Sequence, residues 1–184
     1  MTEQNKFLVP LAIVIAGALV AGAIYLGGTP RQSSGQATEA NTAKTEVKPI
    51  SETDHIRGSR SAELIIVEYS DTECPFCKIF HNTMKEVLNA YNGKVAWVYR
   101  QFPIPSLHSR APKEAEATEC VAGLGGNLAF WNYLDKIFET TRSNDSLDPA
   151  QLPILAASVD ISQERFNDCL NSGKYTDVIK KDIS

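Results

Sequence analysis

Two cysteines separated by two residues, Cys74 and Cys77, are the side chains whose type and spacing most directly suggest chemistry. They enclose Pro75 and Phe76, follow the apolar, strand-like run 64–70, and open a segment with helical periodicity. A cysteine at a helix N-terminus lies among unpaired backbone N–H groups and at the positive end of the helix dipole. Such an environment lowers a cysteine pKa from about 8.5 to roughly 3.5–7.5. The motif therefore predicts a pair that exchanges disulfides.

Two other interpretations of the pair remain open. A CxxC is also half of a zinc site, which requires a second pair of ligands. The other cysteines, Cys120 and Cys169, are far apart and the histidines are scattered, so we predict no metal site. A purely structural disulfide is the second alternative, although so tight a ring is strained and more readily reduced than most structural bridges.

The N-terminal region contains an uncharged apolar run of 20 residues, 7–26. A helix of that length spans about 30 Å, which is the thickness of a bilayer's hydrocarbon core. We expect a transmembrane signal anchor that follows a short cytoplasmic segment, 1–6. A cleaved signal peptide is the alternative, because residues 21–23 have the small-x-small pattern of a processing site. In either case the remainder is expected on the extracytoplasmic side of a bacterial cell membrane, periplasmic or outer.

Residues 27–52 are small and polar, which predicts a flexible linker, and residues 53–184 suffice for one compact domain. The formal net charge of −4 argues against nucleic acid as a partner. Because four cysteines in an exported domain indicate an oxidising compartment, we expect Cys120 and Cys169 to form a structural disulfide. Two buried free thiols are the alternative.

The periodicity of the domain predicts two strands and then helices. Residues 94–100 form the second strand, so strand, helix and strand make a parallel βαβ unit. The rest is predicted to be helical, beginning with 113–124, which the glycines at 123, 125 and 126 should end. Further helices are predicted at 129–141, 149–158, 162–171 and from 175 to the end, with Ser162 as an N-cap.

Four segments together resemble the exported DsbA-like thiol:disulfide oxidoreductases: 54–58, 67–71, 74–77 and 80–81. The likeness covers about residues 52–184. It implies an α/β fold, a thioredoxin-like βαβ start with an inserted helical domain at about 111–184. The family's threonine–cis-proline loop, two further strands and a helix should follow the insert, and we expect them to be missing from this chain.

The resemblance also implies roles for single residues. Cys74 is the nucleophile, Cys77 is the resolving cysteine, and Glu68 matches a buried acid that could relay protons to Cys77. A solvated edge charge is the alternative for Glu68. The strongest oxidants of the family carry His where this chain has Phe76, so we expect a less oxidising potential.

The predicted function is that of an extracytoplasmic enzyme which introduces disulfides into exported proteins through Cys74 and Cys77. It needs no metal or organic cofactor. Its partners would be cysteine-containing exported proteins, the membrane through the N-terminal helix and, by resemblance, a quinone-linked membrane protein that reoxidises the pair. The alternatives are a reductase or isomerase that uses the same pair, or an inactive, truncated, membrane-tethered binding module.

Overall fold

The computed structural model describes residues 47–183, and every element below belongs to the unit Pro49–Ser184. The predicted signal anchor, 7–26, and most of the predicted linker lie outside the described residues. Within the described part of the chain, no helix is long and apolar enough to cross a membrane.

The sheet has three strands, β1 (His55–Arg57), β2 (Leu64–Ser70) and β3 (Val95–Gln101), in the order β1-β3-β2. β3 pairs with β2 in parallel and with β1 antiparallel. The expectation of two strands was therefore wrong. A strand of three residues, in which only Ile56 is buried, is too short for an alternating pattern to reveal.

Five helices complete the domain: α1 (Pro75–Tyr91), α2 (Ala111–Thr140), α3 (Gln151–Ala157), α4 (Gln163–Ser172) and α5 (Thr176–Ile183). The range Ala111–Thr140 consists of two helical stretches that meet at the glycine cluster, so the predicted helix stop there is confirmed. The two stretches are separated by a kink at Gly126, whose backbone (φ 79°, ψ −173°) is not helical, and α2 denotes both together. Glycine adopts such a positive φ without the steric penalty that a Cβ would bring.

The central strand β3 is buried along its whole length and separates two apolar clusters. Trp97 and Tyr99 face α1 and the second half of α2, where they pack with Met84, Phe130, Trp131, Leu134 and Phe138. Ala96 and Val98 face the opposite side and pack with Ile56. This burial on both faces explains why the strand reads as a continuous apolar run.

A third apolar cluster lies inside the helical insert and joins α2, α3 and α4. Its largest members are Tyr133, Ile137, Leu152 and Phe166. A disulfide joins Cys120 of α2 to Cys169 of α4, with an S–S distance of 2.03 Å. The insert is therefore stabilised both by its own apolar packing and by a covalent link between two of its helices.

Candidate active site

The cysteine pair lies where β2 gives way to α1. Cys74 is the N-cap residue of α1 with an extended backbone (φ −78°, ψ 123°), and Pro75 is the first helical residue. Proline suits that position because its missing N–H would have no helical partner there. The Cys74 carbonyl accepts the first helical hydrogen bond, from the Lys78 N–H at 3.1 Å. Both cysteines are half-buried free thiols, with Cys77 in the first turn.

The environment of Cys77 favours its neutral thiol. Burial raises the pKa of Cys77, and the adjacent Cys74 raises it further. The Asp71 backbone N–H and the Ser70 hydroxyl act in the opposite direction but do not outweigh burial. A sulfur in this setting holds a proton readily, as a leaving thiolate must once it has been expelled.

Glu68 is buried on β2, with 8% of its surface exposed. The Trp97 indole N–H donates a hydrogen bond of 2.8 Å to one carboxylate oxygen of Glu68. Burial raises the pKa of this carboxyl group, and the nearby Ser70 hydroxyl and the bond from Trp97 only partly offset the effect. The side chain is thus placed inside the domain, and the alternative of a solvated edge charge does not hold.

Two hydroxyl groups that the sequence did not single out, those of Ser70 and Tyr99, lie near both Glu68 and Cys77. Ser70 points to the same face of β2 as Glu68, because alternate residues of a strand share a face. Tyr99 lies on β3, in register with Glu68 of β2. Neither hydroxyl has a hydrogen-bond partner of ordinary geometry among the described residues. The Ser70 hydroxyl nevertheless lowers the pKa of both Glu68 and Cys77, so it lies close to both.

The loop that leads into Cys74 is fixed by Asp71. One carboxylate oxygen of Asp71 accepts the Glu73 N–H at 2.8 Å. The other accepts the Ile104 N–H at 2.8 Å and lies 3.0 Å from His108 Nδ1. These bonds hold the loop that precedes Cys74 against the segment that follows β3.

An apolar surface surrounds the pair on α1. Phe76, the second residue of the dipeptide between the cysteines, is 77% exposed, and Ile79 and Phe80 are exposed beside it on the helix. Within residues 47–183, no group of three or more His, Cys, Asp or Glu side chains is arranged to hold a metal ion. The site combines two sulfurs, a buried acid and an exposed apolar surface, and this combination suits disulfide exchange with a polypeptide.

The profile of the family described as thioredoxin matches residues 50–184. The chain belongs to the thioredoxin family. Its structure is similar to that of DsbA2 from Pseudomonas aeruginosa, with a TM-score of 0.61, 29% identity, and coverage of 75% of this chain and 73% of that one. BdbD from Bacillus subtilis, in its oxidised form, has a TM-score of 0.62 at 23% identity, over 70% of this chain and 71% of that one. The predicted DsbA-like fold with a helical insert is confirmed.

Longer proteins also contain a similar segment. The chain is 35% identical over 130 residues to a protein of Salinispora tropica named Na(+)/H(+) antiporter NhaA 3. That match covers 71% of this chain but only 19% of the antiporter. The chain thus spans about a fifth of the length of the curated relatives that it matches.

Proposed function

We propose that this chain is a thiol:disulfide oxidoreductase that introduces disulfides into exported proteins through Cys74 and Cys77. The observation that carries the proposal is the asymmetry of the pair. Cys74 caps the N-terminus of α1, next to the exposed Phe76, whereas burial keeps Cys77 neutral one turn into the helix. An exposed apolar surface beside one sulfur suits the approach of an unfolded polypeptide.

In the proposed reaction, a substrate thiolate attacks Sγ of Cys74 in the oxidised pair. The S–S bond breaks, Cys77 leaves as a thiolate and takes up a proton, and a mixed disulfide joins the substrate to Cys74. The second substrate thiolate then attacks the substrate sulfur of that mixed disulfide and releases Cys74. The substrate loses two electrons, which the cysteine pair gains.

Glu68 is the proposed proton donor and acceptor for Cys77. Its pKa is raised by burial, so the carboxyl group holds its proton more readily than an exposed glutamate does. A buried acid of this kind can supply the proton that the leaving Cys77 thiolate takes up and recover it when the pair is reoxidised.

The proposed direction is oxidation of the substrate, and the proposed place is the extracytoplasmic side of the cell membrane. The resemblance to DsbA-like proteins supports both, and the apolar run 7–26 supports a membrane tether. A quinone-linked membrane protein is the proposed oxidant of the reduced pair. Reductases and isomerases use the same chemistry in the other direction, and a reduction potential separates them from oxidases.

The test is to trap the covalent intermediate. In Cys77→Ala, the Cys74 thiolate should attack the disulfide of an oxidised protein substrate, release one substrate thiolate and accumulate as a mixed disulfide, because no Cys77 thiol remains to resolve it; Cys74→Ala should form none. The matched control is the double variant Cys120→Ala/Cys169→Ala, which should retain turnover at a temperature at which circular dichroism shows it to be folded. Full turnover by Cys74→Ala would contradict the proposal, because the exchange could then not pass through Cys74.

A further inference from the structure

A buried glutamate that the exchange reaction does not use immediately precedes the nucleophile. Glu73 has 0% of its surface exposed. The Thr141 hydroxyl donates to both of its carboxylate oxygens, each at 3.0 Å. The backbone N–H groups of Ser146 and Leu147 donate to the same carboxylate at 3.2 and 3.1 Å. The residue before Cys74 therefore binds the segment that follows α2.

The bound segment, 141–147, has an unusual backbone. Ser143, Asn144 and Asp145 are three successive non-glycine residues in the left-handed region, with φ values of 68°, 56° and 62°. Such conformations persist only where the surroundings hold them. The Asn144 N–H donates to the Glu73 carbonyl oxygen at 2.8 Å, so Glu73 holds the segment through its main chain as well.

A second buried acid faces Glu73 from the first turn of α2. Glu114 is 2% exposed, and one of its oxygens accepts a bond of 2.6 Å from the Thr72 hydroxyl. Its other oxygen, Oε1, is buried without a conventional donor among the described residues. Burial, together with the neighbouring Glu73 carboxylate, raises the pKa of Glu114 to about 8. A proton on Glu114 supplies the missing donor, because a neutral acid can donate to the Glu73 carboxylate.

No nearby cation replaces that proton. Within residues 47–183, neither Glu73 nor Glu114 forms an ion pair. Lys78 of α1 and Arg110 before α2 donate instead to the carbonyl oxygens of Thr141 and Leu147, at 2.5 and 2.7 Å.

The other titratable groups nearby do not supply a positive charge to the pair either. Asp71 adds negative charge and is itself paired with His108, and Tyr133 of α2 is neutral because burial raises its pKa. The shared proton is thus what prevents two buried negative charges from facing each other.

We infer that Glu73 and Glu114 are a positioning pair, in which one shared proton keeps the Glu73 carboxylate bound to the segment 141–147 and so holds Cys74 in its reactive place at the start of α1. This inference rests on the proposed function. When the shared proton is lost, repulsion between the two carboxylates loosens the segment and moves Cys74 out of place. Neither residue touches the reacting sulfurs in this role.

The test follows Cys74 in the Cys77→Ala background. The rate of its reaction with oxidised glutathione is measured from pH 6 to 9.5 and divided by the thiolate fraction obtained from absorbance at 240 nm. The normalised rate should fall above pH 8 by about tenfold, since even small misplacement of a reacting group is costly. The added Glu114→Gln substitution should abolish the fall, because an amide donates to Glu73 at every pH.

Two controls separate this role from others. Glu139→Gln makes the same chemical substitution at an exposed site of α2 and should leave the fall unchanged. Glu73→Gln should lower the normalised rate already at pH 7, because a neutral amide holds the segment less well. A merely structural role would shift the unfolding temperature of these variants and leave the normalised rate flat with pH, which overturns the inference.

The inference and the proposed function fail in different ways. If Cys74 does not react with oxidised glutathione at any pH, the proposed function fails. If Cys74 reacts and the added Glu114→Gln substitution leaves the pH dependence of the normalised rate unchanged, only the inference of a positioning pair fails. Should Glu114→Gln not fold, a ¹³C NMR titration of the glutamate carboxyl groups in the wild type decides. A buried carboxyl group that titrates near pH 8 supports the pair, and ionisation of both groups at pH 6 overturns it.

Discussion

The disulfide between α2 and α4 makes a quantitative prediction about stability. The double substitution Cys120→Ala/Cys169→Ala opens a loop of 49 residues. The chain-entropy relation assigns about 4 kcal/mol to a loop of that length. For a domain of this size, the entropy of unfolding of about 2.1 cal/mol/K per residue converts this loss into a fall in Tm of about 14 °C. The loss falls on the helical insert, where the buried Cys120 also packs in the core.

The assay is thermal unfolding of the oxidised protein followed by circular dichroism. Cys74→Ala/Cys77→Ala is the matched control, because it also removes two cysteines and leaves the α2–α4 bridge intact. Its Tm should change much less than that of the double variant. A fall of less than about 3 °C for the double variant would refute the stabilising role assigned to the bridge, since about 1 kcal/mol corresponds to that shift.

Three further predictions concern single residues. Glu68→Gln should keep the bond from Trp97 but slow turnover by about tenfold or more, because the amide cannot carry a proton; turnover equal to wild type would exclude the relay. Glu114 has a pKa of about 8 in the folded state against an ordinary glutamate value of 4.5, so the folded state binds its proton more tightly between these values. The free energy of unfolding of wild type relative to Glu114→Gln should therefore fall as pH rises from about 5 to 8, by up to about 1.4 kcal/mol per pH unit. Urea unfolding would contradict this if the free energies of unfolding of the two proteins changed equally with pH. Gly58→Ala should cost about 1–3 kcal/mol in the same assay, because Gly58 has φ +103° and an added Cβ would lie 3.1 Å from β3 backbone atoms. Gly93 has φ +84°, and an added Cβ there would have no atom within 4 Å. Gly93→Ala therefore measures the backbone strain alone and should lower the free energy of unfolding by less.

Much of the fold could be predicted because its signals are local. The run before Cys74 and the helical stripe after it fixed the strand–helix junction, and the N-cap at Ser162 begins α4 as expected. β1 could not be predicted, because a strand of three residues is too short to show an alternating hydrophobic pattern. The break at Gly126 could be predicted from the glycine cluster, and the residues after the kink, such as Phe130 and Leu134, pack against the sheet.

The site divides in the same way. The cysteine pair follows from spacing, and Glu68 follows from the resemblance to the DsbA-like proteins. Ser70 could have been found, because strand alternation places it on the face of Glu68. The contact of Glu73 with Glu114 could not, since it joins residues from two elements far apart along the chain, and a lone glutamate beside a cysteine gives no sign of its partner.

The membrane anchor, the extracytoplasmic location and the quinone-linked partner stay predictions. The anchor lies outside the described residues, and the other two concern the cell. Fractionation of cells that produce the full chain would test the first two, because an anchored protein stays with the membrane after washing with high salt. Recovery in the cytosolic fraction would contradict them.

The measurement that tests the central claim most directly is the reduction potential of the Cys74–Cys77 pair, obtained by equilibration with glutathione or dithiothreitol buffers. With Phe76 between the cysteines, we predict a potential between those of the strongest oxidants, about −120 mV, and thioredoxin, about −270 mV. A value at or below that of thioredoxin, or a pair that does not equilibrate with the buffer, would contradict the proposed role in introducing disulfides.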